Sequence, residues 1–283
     1  MNSPTLQDTK QPTKTRKRLG LIAGIGKLPA ILASSACEKG YDVVALALSS
    51  EARDCVAPHC VKAIEIGPGQ IGRAIKTLKQ ENVKELVFIG KVPKVELLRQ
   101  IHKLDWTAVR ELSRLPNFND DTIQRGVGDL AEREGIRVLT QSEFLRHIFP
   151  DVGVITRREP TAQEYADIDY GLRIAKDIAR LDIGQTVVVE DRMILAIEAI
   201  EGTDEAIKRG VSLARGSVVV VKVAKNNHDE RFDIPTVGMN TIQAMIGEKP
   251  GGVLAIGASE TMVIEQEEIA GLADANGISI VAI

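Results

Sequence analysis

Leu19-Gly-Leu-Ile-Ala-Gly-Ile-Gly26 joins a short apolar run to a glycine turn. Apolar residues at helical spacing follow from Leu28, and Gly40 ends that segment. A strand, a glycine turn and a helix in this order are typical of the first unit of a Rossmann-like sheet. The stretch therefore predicts an α/β fold that opens with a buried strand.

Further apolar runs repeat this alternation along the first half of the chain. They predict strands over residues 42–48, 63–66, 85–89 and 137–139, and helices over residues 71–81 and 120–134. Repeated alternation of strand and helix predicts a parallel, doubly wound sheet with right-handed crossovers.

A second domain is predicted where this periodicity stops, at residues 149–153. Pro160 and Thr161 then suit the start of a helix over residues 161–180. Beyond it, we predict strands over residues 185–189, 194–199, 217–223 and 252–255, and helices after Thr203 and around residues 266–276. The expected organisation is a disordered basic tail (residues 1–18), a Rossmann-like N-terminal domain (19–150) and a distinct C-terminal α/β domain (151–283).

The composition favours this fold class and argues against several functions. Hydrophobic residues make up 44% of the 283 positions but aromatic residues only 3%, which suits parallel strands of Val, Ile, Leu and Ala covered by helices. A net charge of −3 and few aromatic side chains argue against nucleic acid as a partner. Three cysteines without metal-type spacing argue against zinc and disulfides, and no apolar run is long enough to span a bilayer. We expect a soluble, cytoplasmic protein.

The glycine turn could bring backbone N–H groups close to a phosphate at a helix N-terminus. The full dinucleotide pattern is incomplete because Pro29 stands where its third glycine belongs, and Asp42 lies at the start of the second strand instead of its end. An NAD(P)-dependent oxidoreductase is therefore an alternative and not the first prediction. The glycines could also serve only a tight turn.

The densest polar cluster, residues 222–236, directly follows a predicted buried strand. If residues 229–233 are extended, Asp229, Arg231 and Asp233 share one face of the strand. Carboxylates can hold Mg²⁺ or Mn²⁺ and activate water, and Arg231 can clamp phosphate oxygens. Lys222 and Lys225 would add positive charge. The alternative is an ion-pair ladder on an edge strand.

A second cluster covers residues 198–205, between a strand and a helix. Thr203 could simply cap that helix, with Asp204 favouring its positive end. Glu198 lies among apolar strand residues, where an unpaired carboxylate is costly, so we expect a Lys, an Arg or a metal beside it.

A third cluster, around Asp120 and Asp121, opens a helix, where either carboxylate could cap the helix or meet a sugar hydroxyl. The chain has no G-x-S-x-G elbow and no zinc-type histidine pair. Serine-triad acyl transfer and zinc hydrolysis are therefore disfavoured.

Taken together, these motifs resemble the LpxI family of UDP-2,3-diacylglucosamine diphosphatases. The matching stretches run in order along the chain: residues 20–29, 89–92, the Asp120-Asp121 region, 181–185, 198–204 and 222–238. The Glu-Gly-Thr-Asp sequence and the D-x-R-x-D-hydrophobic-P-T sequence are the specific ones. His228 and Ile25 depart from the family pattern, as does Lys91-Val-Pro93, and these departures concern acyl specificity more than the reaction.

The resemblance implies hydrolysis of UDP-2,3-diacylglucosamine to UMP and 2,3-diacylglucosamine 1-phosphate in lipid A biosynthesis, with Mg²⁺ or Mn²⁺. It also implies a substrate held between two domains, and an essential aspartate at Asp229 or Asp233. The lipid substrate implies transient contact with the cytoplasmic face of the inner membrane. A homodimer and a non-catalytic UDP-sugar or lipid carrier stay open alternatives.

The residues and the resemblance together define three predicted sets. The catalytic set is Asp229, Asp233, Arg231 and Lys222, and the metal set is Asp229, Asp233, Glu201 and Asp204. The substrate-binding set is Gly24, Gly26, Lys27, Leu28, Pro29, Gly90, Lys91, Asp120, Asp121, Gln185, Thr203, Lys225 and Thr236.

Overall fold

The computed structural model describes residues 16–90, 104–113, 120–224, 229–232, 234–247 and 251–283. Contacts divide the chain into two units. The first unit takes in Met1–Arg114 and Val127–Val138, and the second takes in Leu115–Gly126 and Leu139–Ile283. No helix among the described residues is long and apolar enough to cross a membrane.

The first unit is a five-stranded sheet in the order β3-β2-β1-β4-β5, in which every pair is parallel. Its strands are β1 (Lys17–Ala23), β2 (Tyr41–Ala47), β3 (Lys62–Glu65), β4 (Glu85–Ile89) and β5 (Arg137–Val138). Its helices are α1 (Leu28–Glu38), α2 (Ser50–Val56), α3 (Ile71–Gln80), α4 (Trp106–Leu112) and α5 (Asp120–Arg133), of which α5 begins among residues of the second unit. The predicted Rossmann-like sheet is confirmed.

The strand order creates a switch point beside β1. The chain runs outward from β1 to β2 and β3, then returns past β1 to β4. The loops that follow β1 and β4 therefore leave the sheet next to each other at its carboxyl edge, which is where open α/β sheets bind ligands. The sheet core is aliphatic, as the composition predicts, with Leu19, Leu21 and Val43–Ala47 fully buried.

The second unit is a mixed six-stranded sheet in the order β6-β13-β11-β9-β7-β8. Its strands are β6 (Gly153–Val154), β7 (Thr186–Glu190), β8 (Met193–Ile197), β9 (Val218–Lys222), β11 (Gly252–Ile256) and β13 (Ile278–Ala282). Its helices are α6 (Ser142–Leu145), α7 (Ala162–Arg180), α8 (Thr203–Leu213), α9 (Met239–Met245) and α10 (Gln266–Ala275). β10 (Thr236–Val237) and β12 (Met262–Val263) form a separate parallel pair.

Successive residues of β9 enter two different cores. Val219 and Val221 pack with residues of α7, whereas Val218 and Val220 pack with residues of α8, α9 and α10. Because side chains alternate along a strand, Lys222 belongs to the face covered by α8 to α10. This alternation places its ammonium on the side of the sheet where α8 begins.

The contacts group the residues differently from the predicted domains at two places. Residues 17 and 18, assigned to the tail, belong to β1, where Arg18 bonds Glu81. Residues 139–150, assigned to the first domain, contact the second unit: the Gln141 N–H donates to the Glu230 carbonyl, and the Ser259 N–H donates to the Pro150 carbonyl. The periodicity ends near residue 149, whereas the contacts change at residue 139.

Candidate active site

A buried hydrogen-bond chain lies at the carboxyl edge of the second sheet. Lys222 ends β9 and is 5% exposed, and its Nζ donates to Thr203 Oγ1 at 2.8 Å. The Thr203 hydroxyl in turn donates to Glu198 Oε1 at 2.9 Å. We call these three residues the lysine network. It joins the ends of two strands to the first turn of α8.

The lysine network compensates the burial of two charged groups. Glu198 is only 8% exposed, and its second oxygen accepts from the Gln185 backbone N–H at 3.3 Å. A buried carboxylate without such partners would cost several kcal/mol, on the order of the penalty for an unpaired buried ion. The cation expected beside Glu198 is Lys222, which reaches the carboxylate through the threonine hydroxyl.

Gly184 allows the chain to pass close to Glu198. A Cβ atom at residue 184 would collide with the Glu198 carbonyl oxygen. The glycine therefore lets the segment before β7 approach the end of β8, which brings the Gln185 N–H to the carboxylate. Gly184 lies in one of the quoted stretches but was not among the predicted site residues.

Two buried oxygens beside the lysine network lack a hydrogen-bond partner among the described residues. They are Gln185 Oε1 and Thr186 Oγ1. Thr186 is fully buried and stands opposite Lys222 in the β7–β9 ladder. Buried polar atoms normally have a hydrogen-bond partner. These two oxygens therefore mark a place where a ligand or water can supply one. Thr186 is a residue that the sequence reasoning missed.

Helix α8 begins without a side-chain cap. Its N-cap is Gly202, with φ at +86°, and the Thr203 hydroxyl serves the lysine network. The alternative in which Thr203 caps the helix is therefore wrong. Asp204 lies in the first turn, where an acid is favourable, and its Oδ1 accepts from Thr241 Oγ1 at 3.3 Å.

Residues 229–232 form a turn and not the expected extended strand. The Phe232 N–H donates to the Asp229 carbonyl at 2.8 Å, and the buried Phe232 ring anchors the turn. The argument that alternating residues share a strand face is therefore wrong. Gln141 Nε2 also donates to the Phe232 carbonyl at 3.3 Å. This bond connects the turn to the residue that precedes α6.

Within this turn, Asp229 and Arg231 bind each other. Arg231 Nε donates to Oδ1 at 2.9 Å, and its Nη2 donates to Oδ2 at 2.7 Å. These hydrogen bonds lower the pKa of Asp229 from its ordinary value, against the opposing effect of partial burial. The pair fixes the guanidinium in one orientation, about one quarter exposed.

The predicted metal ligands do not come together in the described part of the chain. Glu201 pairs with Arg209 at 2.5 Å, and the hydrogen bond from Arg209 lowers the pKa of Glu201. Asp204 bonds Thr241, and Asp229 bonds Arg231. Among the described residues, no group of three His, Cys, Asp or Glu side chains could hold a metal ion. Asp233 lies outside the described residues.

The first unit brings most of its predicted binding residues together. The Gly24 N–H donates to the Ile89 carbonyl at 2.8 Å. Gly90 has φ at +95°, and a Cβ there would lie 2.8 Å from the Gly24 carbonyl carbon and 2.9 Å from Pro29 Cγ. Only glycine allows this approach of the two loops.

The exposed end of the same turn leads into α1. Gly26 has φ at +111° and open space where a side chain would stand. Lys27 is exposed, and Leu28 begins the helix half-buried. Gly24, Gly26 and Gly90 therefore form a glycine cradle at the switch point beside the α1 N-terminus.

The other predicted binding residues are spread more widely. Thr236 lies in β10, and its hydroxyl donates to the Ile234 carbonyl at 3.1 Å. Asp120 and Asp121 open α5, but their side chains lie outside the described residues. Lys91 and Lys225 also lie outside them.

Comparison with known families matches both units. The LpxI N-terminal domain matches residues 18–148, and the LpxI C-terminal domain matches residues 151–281. The chain belongs to the LpxI family. A relative from Caulobacter vibrioides, UDP-2,3-diacylglucosamine pyrophosphatase LpxI, is 30% identical over 281 residues, which cover 94% of this chain and 98% of the relative.

Solved structures resemble the LpxI-family chain only weakly. N5-carboxyaminoimidazole synthetase from Staphylococcus aureus is 18% identical with a TM-score of 0.23, over 70% of this chain and 44% of the synthetase. Its ADP complex matches 61% of this chain and 38% of the synthetase, at the same identity and TM-score. The chain thus spans less than half the length of these synthetases, and likeness at this level bears on neither fold nor function.

Proposed function

We propose that this LpxI-family chain hydrolyses the pyrophosphate of UDP-2,3-diacylglucosamine, releasing UMP and 2,3-diacylglucosamine 1-phosphate for lipid A biosynthesis. The observation that carries the proposal is the buried lysine network, in a chain that aligns over 94% of its length with a pyrophosphatase of this name. A buried ammonium at a carboxyl sheet edge suits a substrate with two linked phosphates.

We assign the Lys222 ammonium to stabilise the negative charge that develops on phosphate oxygens during hydrolysis. This ammonium is removed from water, so its attraction to phosphate oxygens is weakly screened. Glu198 holds the Lys222 ammonium through the Thr203 hydroxyl, which lies between the two charged groups. The ammonium is therefore oriented in advance and stabilises the negative charge on the oxygen that leaves with UMP or with the sugar phosphate.

Arg231 is the second proposed cation. Asp229 holds its guanidinium by two hydrogen bonds, so the planar fork stays in one orientation. We assign Arg231 to clamp phosphate oxygens and Asp229 to position Arg231. Asp233 is then the carboxylate that we assign to the attacking water.

Substrate binding is assigned to exposed backbone and to polar side chains. Within the glycine cradle, the exposed Gly26 turn is the part assigned to phosphate oxygens, and Lys27 adds positive charge beside it. Gln185 Oε1 is a buried acceptor without a hydrogen-bond partner among the described residues. We assign it to accept from a hydroxyl or N–H group of the substrate. Lys91, Lys225, Thr236, Asp120 and Asp121 keep their predicted binding roles.

We also infer a requirement for Mg²⁺ or Mn²⁺, on the family resemblance and the chemistry of pyrophosphate. The described carboxylates do not fit a complete ligand set, because Asp229, Glu201 and Asp204 each have a protein partner. The proposed roles of Lys222, Arg231 and Asp233 therefore do not depend on the cation. When bound, it would neutralise phosphate charge as a Lewis acid.

The reaction is tested with purified protein and the lipid substrate dispersed in detergent. UMP and the sugar-lipid 1-phosphate should appear with Mg²⁺ or Mn²⁺, stop with EDTA and return when metal is restored. No hydrolysis at any metal concentration would overturn the activity, whereas unchanged hydrolysis in EDTA would overturn only the metal. Hydrolysis in ¹⁸O water identifies the phosphorus that water attacks.

Calorimetric titration separates the alternatives. The proposal predicts heat on addition of UMP or the lipid product and none with NAD(P)H. Tight binding of NAD(P)H without a response to UMP would instead support an oxidoreductase. Binding of the substrate without turnover would support a carrier.

A further inference from the structure

Helix α4 exposes an aromatic and a basic side chain on one face. Trp106 is the only tryptophan in the chain and is 82% exposed, and Val109 is 44% exposed. Arg110 is also exposed and lies four residues after Trp106, so it shares that face. Ala108 and Glu111 are buried on the other side. Trp106 and Val109 lie three residues apart and together expose an apolar patch, which suits an interaction surface.

Helix α3 places further basic residues beside this face. The Asp105 carboxylate accepts from the Ala108 N–H at the start of α4, and also from the Gly72 N–H (2.7 Å) and Arg73 N–H (3.2 Å) at the start of α3. One side chain thus joins the first turns of both helices. Arg73 is exposed in the first turn of α3, where its Nη1 donates to Gln70 Oε1 at 2.9 Å. Lys76 follows Arg73 by one turn and is exposed.

The exposed charged side chains of α3 and α4 are positive. Helix α3 contains Arg73, Lys76 and Lys79 and no acidic residue. The acid in α4, Glu111, is buried and pairs with Arg133 at 2.7 Å. Among the described residues of α3 and α4, the exposed charged side chains are therefore basic.

We propose that the face formed by Arg73, Lys76, Trp106, Val109 and Arg110 docks on an anionic phospholipid surface. An indole prefers the boundary between headgroups and acyl chains, and exposed Lys and Arg side chains are attracted to anionic headgroups. A symmetric contact with a second copy would set these like charges against each other. Membrane docking rests on α3 and α4 alone, so it stands independently of the proposed reaction.

The single tryptophan makes the docking directly measurable. Trp106 emission is followed while vesicles of phosphatidylglycerol mixed with phosphatidylcholine are added, with vesicles of phosphatidylcholine alone as the reference. The mixed vesicles should shift the emission to shorter wavelength and sediment with the protein, and salt should reverse both effects. These vesicles contain no substrate, so the result does not depend on hydrolysis.

Two variants test the contributions of charge and indole. Arg73→Gln/Lys76→Gln/Arg110→Gln and Trp106→Ala should each weaken sedimentation with mixed vesicles at least about tenfold. Both should still hydrolyse detergent-dispersed substrate normally. Lys208→Gln, an exposed lysine in α8, is the matched control and should bind like the wild type.

Three results would overturn the proposal. The first is unchanged Trp106 emission at saturating mixed vesicles. The second is equal vesicle binding by the triple glutamine variant and the wild type. The third is an emission shift that follows protein concentration without vesicles, with a doubled mass in light scattering, because the face would then bind a second copy.

Discussion

The carboxyl edges of the two sheets carry different chemical groups. At the first edge, Gly24 and Gly90 let two loops approach closely, and Gly26 exposes bare backbone at the switch point. At the second, Lys222 and Glu198 carry charge into a buried, hydrogen-bonded network. Backbone N–H groups can bind an anion but cannot change their charge, whereas an oriented ammonium stabilises charge as it develops. On the proposed function, anion binding belongs to the first edge and charge stabilisation to the second.

The largest effect is expected from removing the ammonium. Lys222→Met should lower kcat at least about a hundredfold, the scale of losing one preorganised electrostatic group, with little change in KM. Steady-state kinetics measures both constants. Because the substitution leaves Glu198 buried without its cation, Lys222→Met/Glu198→Gln is made alongside it to preserve folding. Lys208→Met, on the surface of α8, is the control. A folded Lys222→Met enzyme with normal kcat would refute the role.

The two aspartates should differ in their effects. Asp233→Asn should lose about a hundredfold in kcat, the scale of one acid–base group, because we assign it to the attacking water. Asp229→Asn should lose less, because it only weakens the hold on Arg231. Glu230→Gln, whose side chain is exposed in the same turn, should stay active. An inactive Glu230→Gln beside two active aspartate variants would require a different site.

A smaller effect is expected from breaking the relay between Glu198 and Lys222. Thr203→Val keeps the shape of the side chain but removes the hydroxyl that joins the two charges. We expect kcat to fall about tenfold, at the low end of the electrostatic effects of one hydrogen-bonding group, while KM stays the same. Thr203→Ser should restore most of the rate. Equal rates for the valine and serine variants would show that the hydroxyl is not needed.

The glycine cradle is tested through stability. Gly90→Ala and Gly40→Ala both place a side chain at positive φ, which costs about 1–2 kcal/mol. A Cβ at Gly40 meets nothing, whereas a Cβ at Gly90 meets the Gly24 backbone. Chemical denaturation should therefore find Gly90→Ala less stable than Gly40→Ala by about 1–3 kcal/mol, the cost of overpacking. Equal losses would mean that the two loops do not approach closely.

The sequence predicts the first unit better than the second. Buried parallel strands read as apolar runs, so the sequence places β2 and β4 to within one residue and β1 to within two. In the second unit, β13 and the short strands β6, β10 and β12 were missed. Glu198 could be singled out because an acid inside an apolar strand needs a partner, and Lys222 is joined to it through Thr203.

Other features of the site depend on contacts that a linear pattern does not show. The residues after Asp229 turn back because Asp229 bonds Arg231 locally and the Phe232 ring is buried. Thr203 stands at a position typical of a helix cap, but its hydroxyl joins Glu198 to Lys222, which lies 19 residues later. Thr186 can be recognised as a candidate site residue only in the structure, where its hydroxyl is buried without a hydrogen-bond partner in the described part of the chain.

The division between binding and chemistry is tested most directly by comparing Gly26→Ala with Lys222→Met in the same two assays. One assay measures the Kd of the lipid substrate with EDTA present, and the other measures the single-turnover rate at saturating enzyme with metal. Gly26→Ala should weaken binding about tenfold and keep a near-normal rate, because it alters only the turn that we assign to anion binding. Lys222→Met should bind normally and turn over at least about a hundredfold more slowly. If both variants change the same quantity by similar factors, the two edges share one role and the account is wrong.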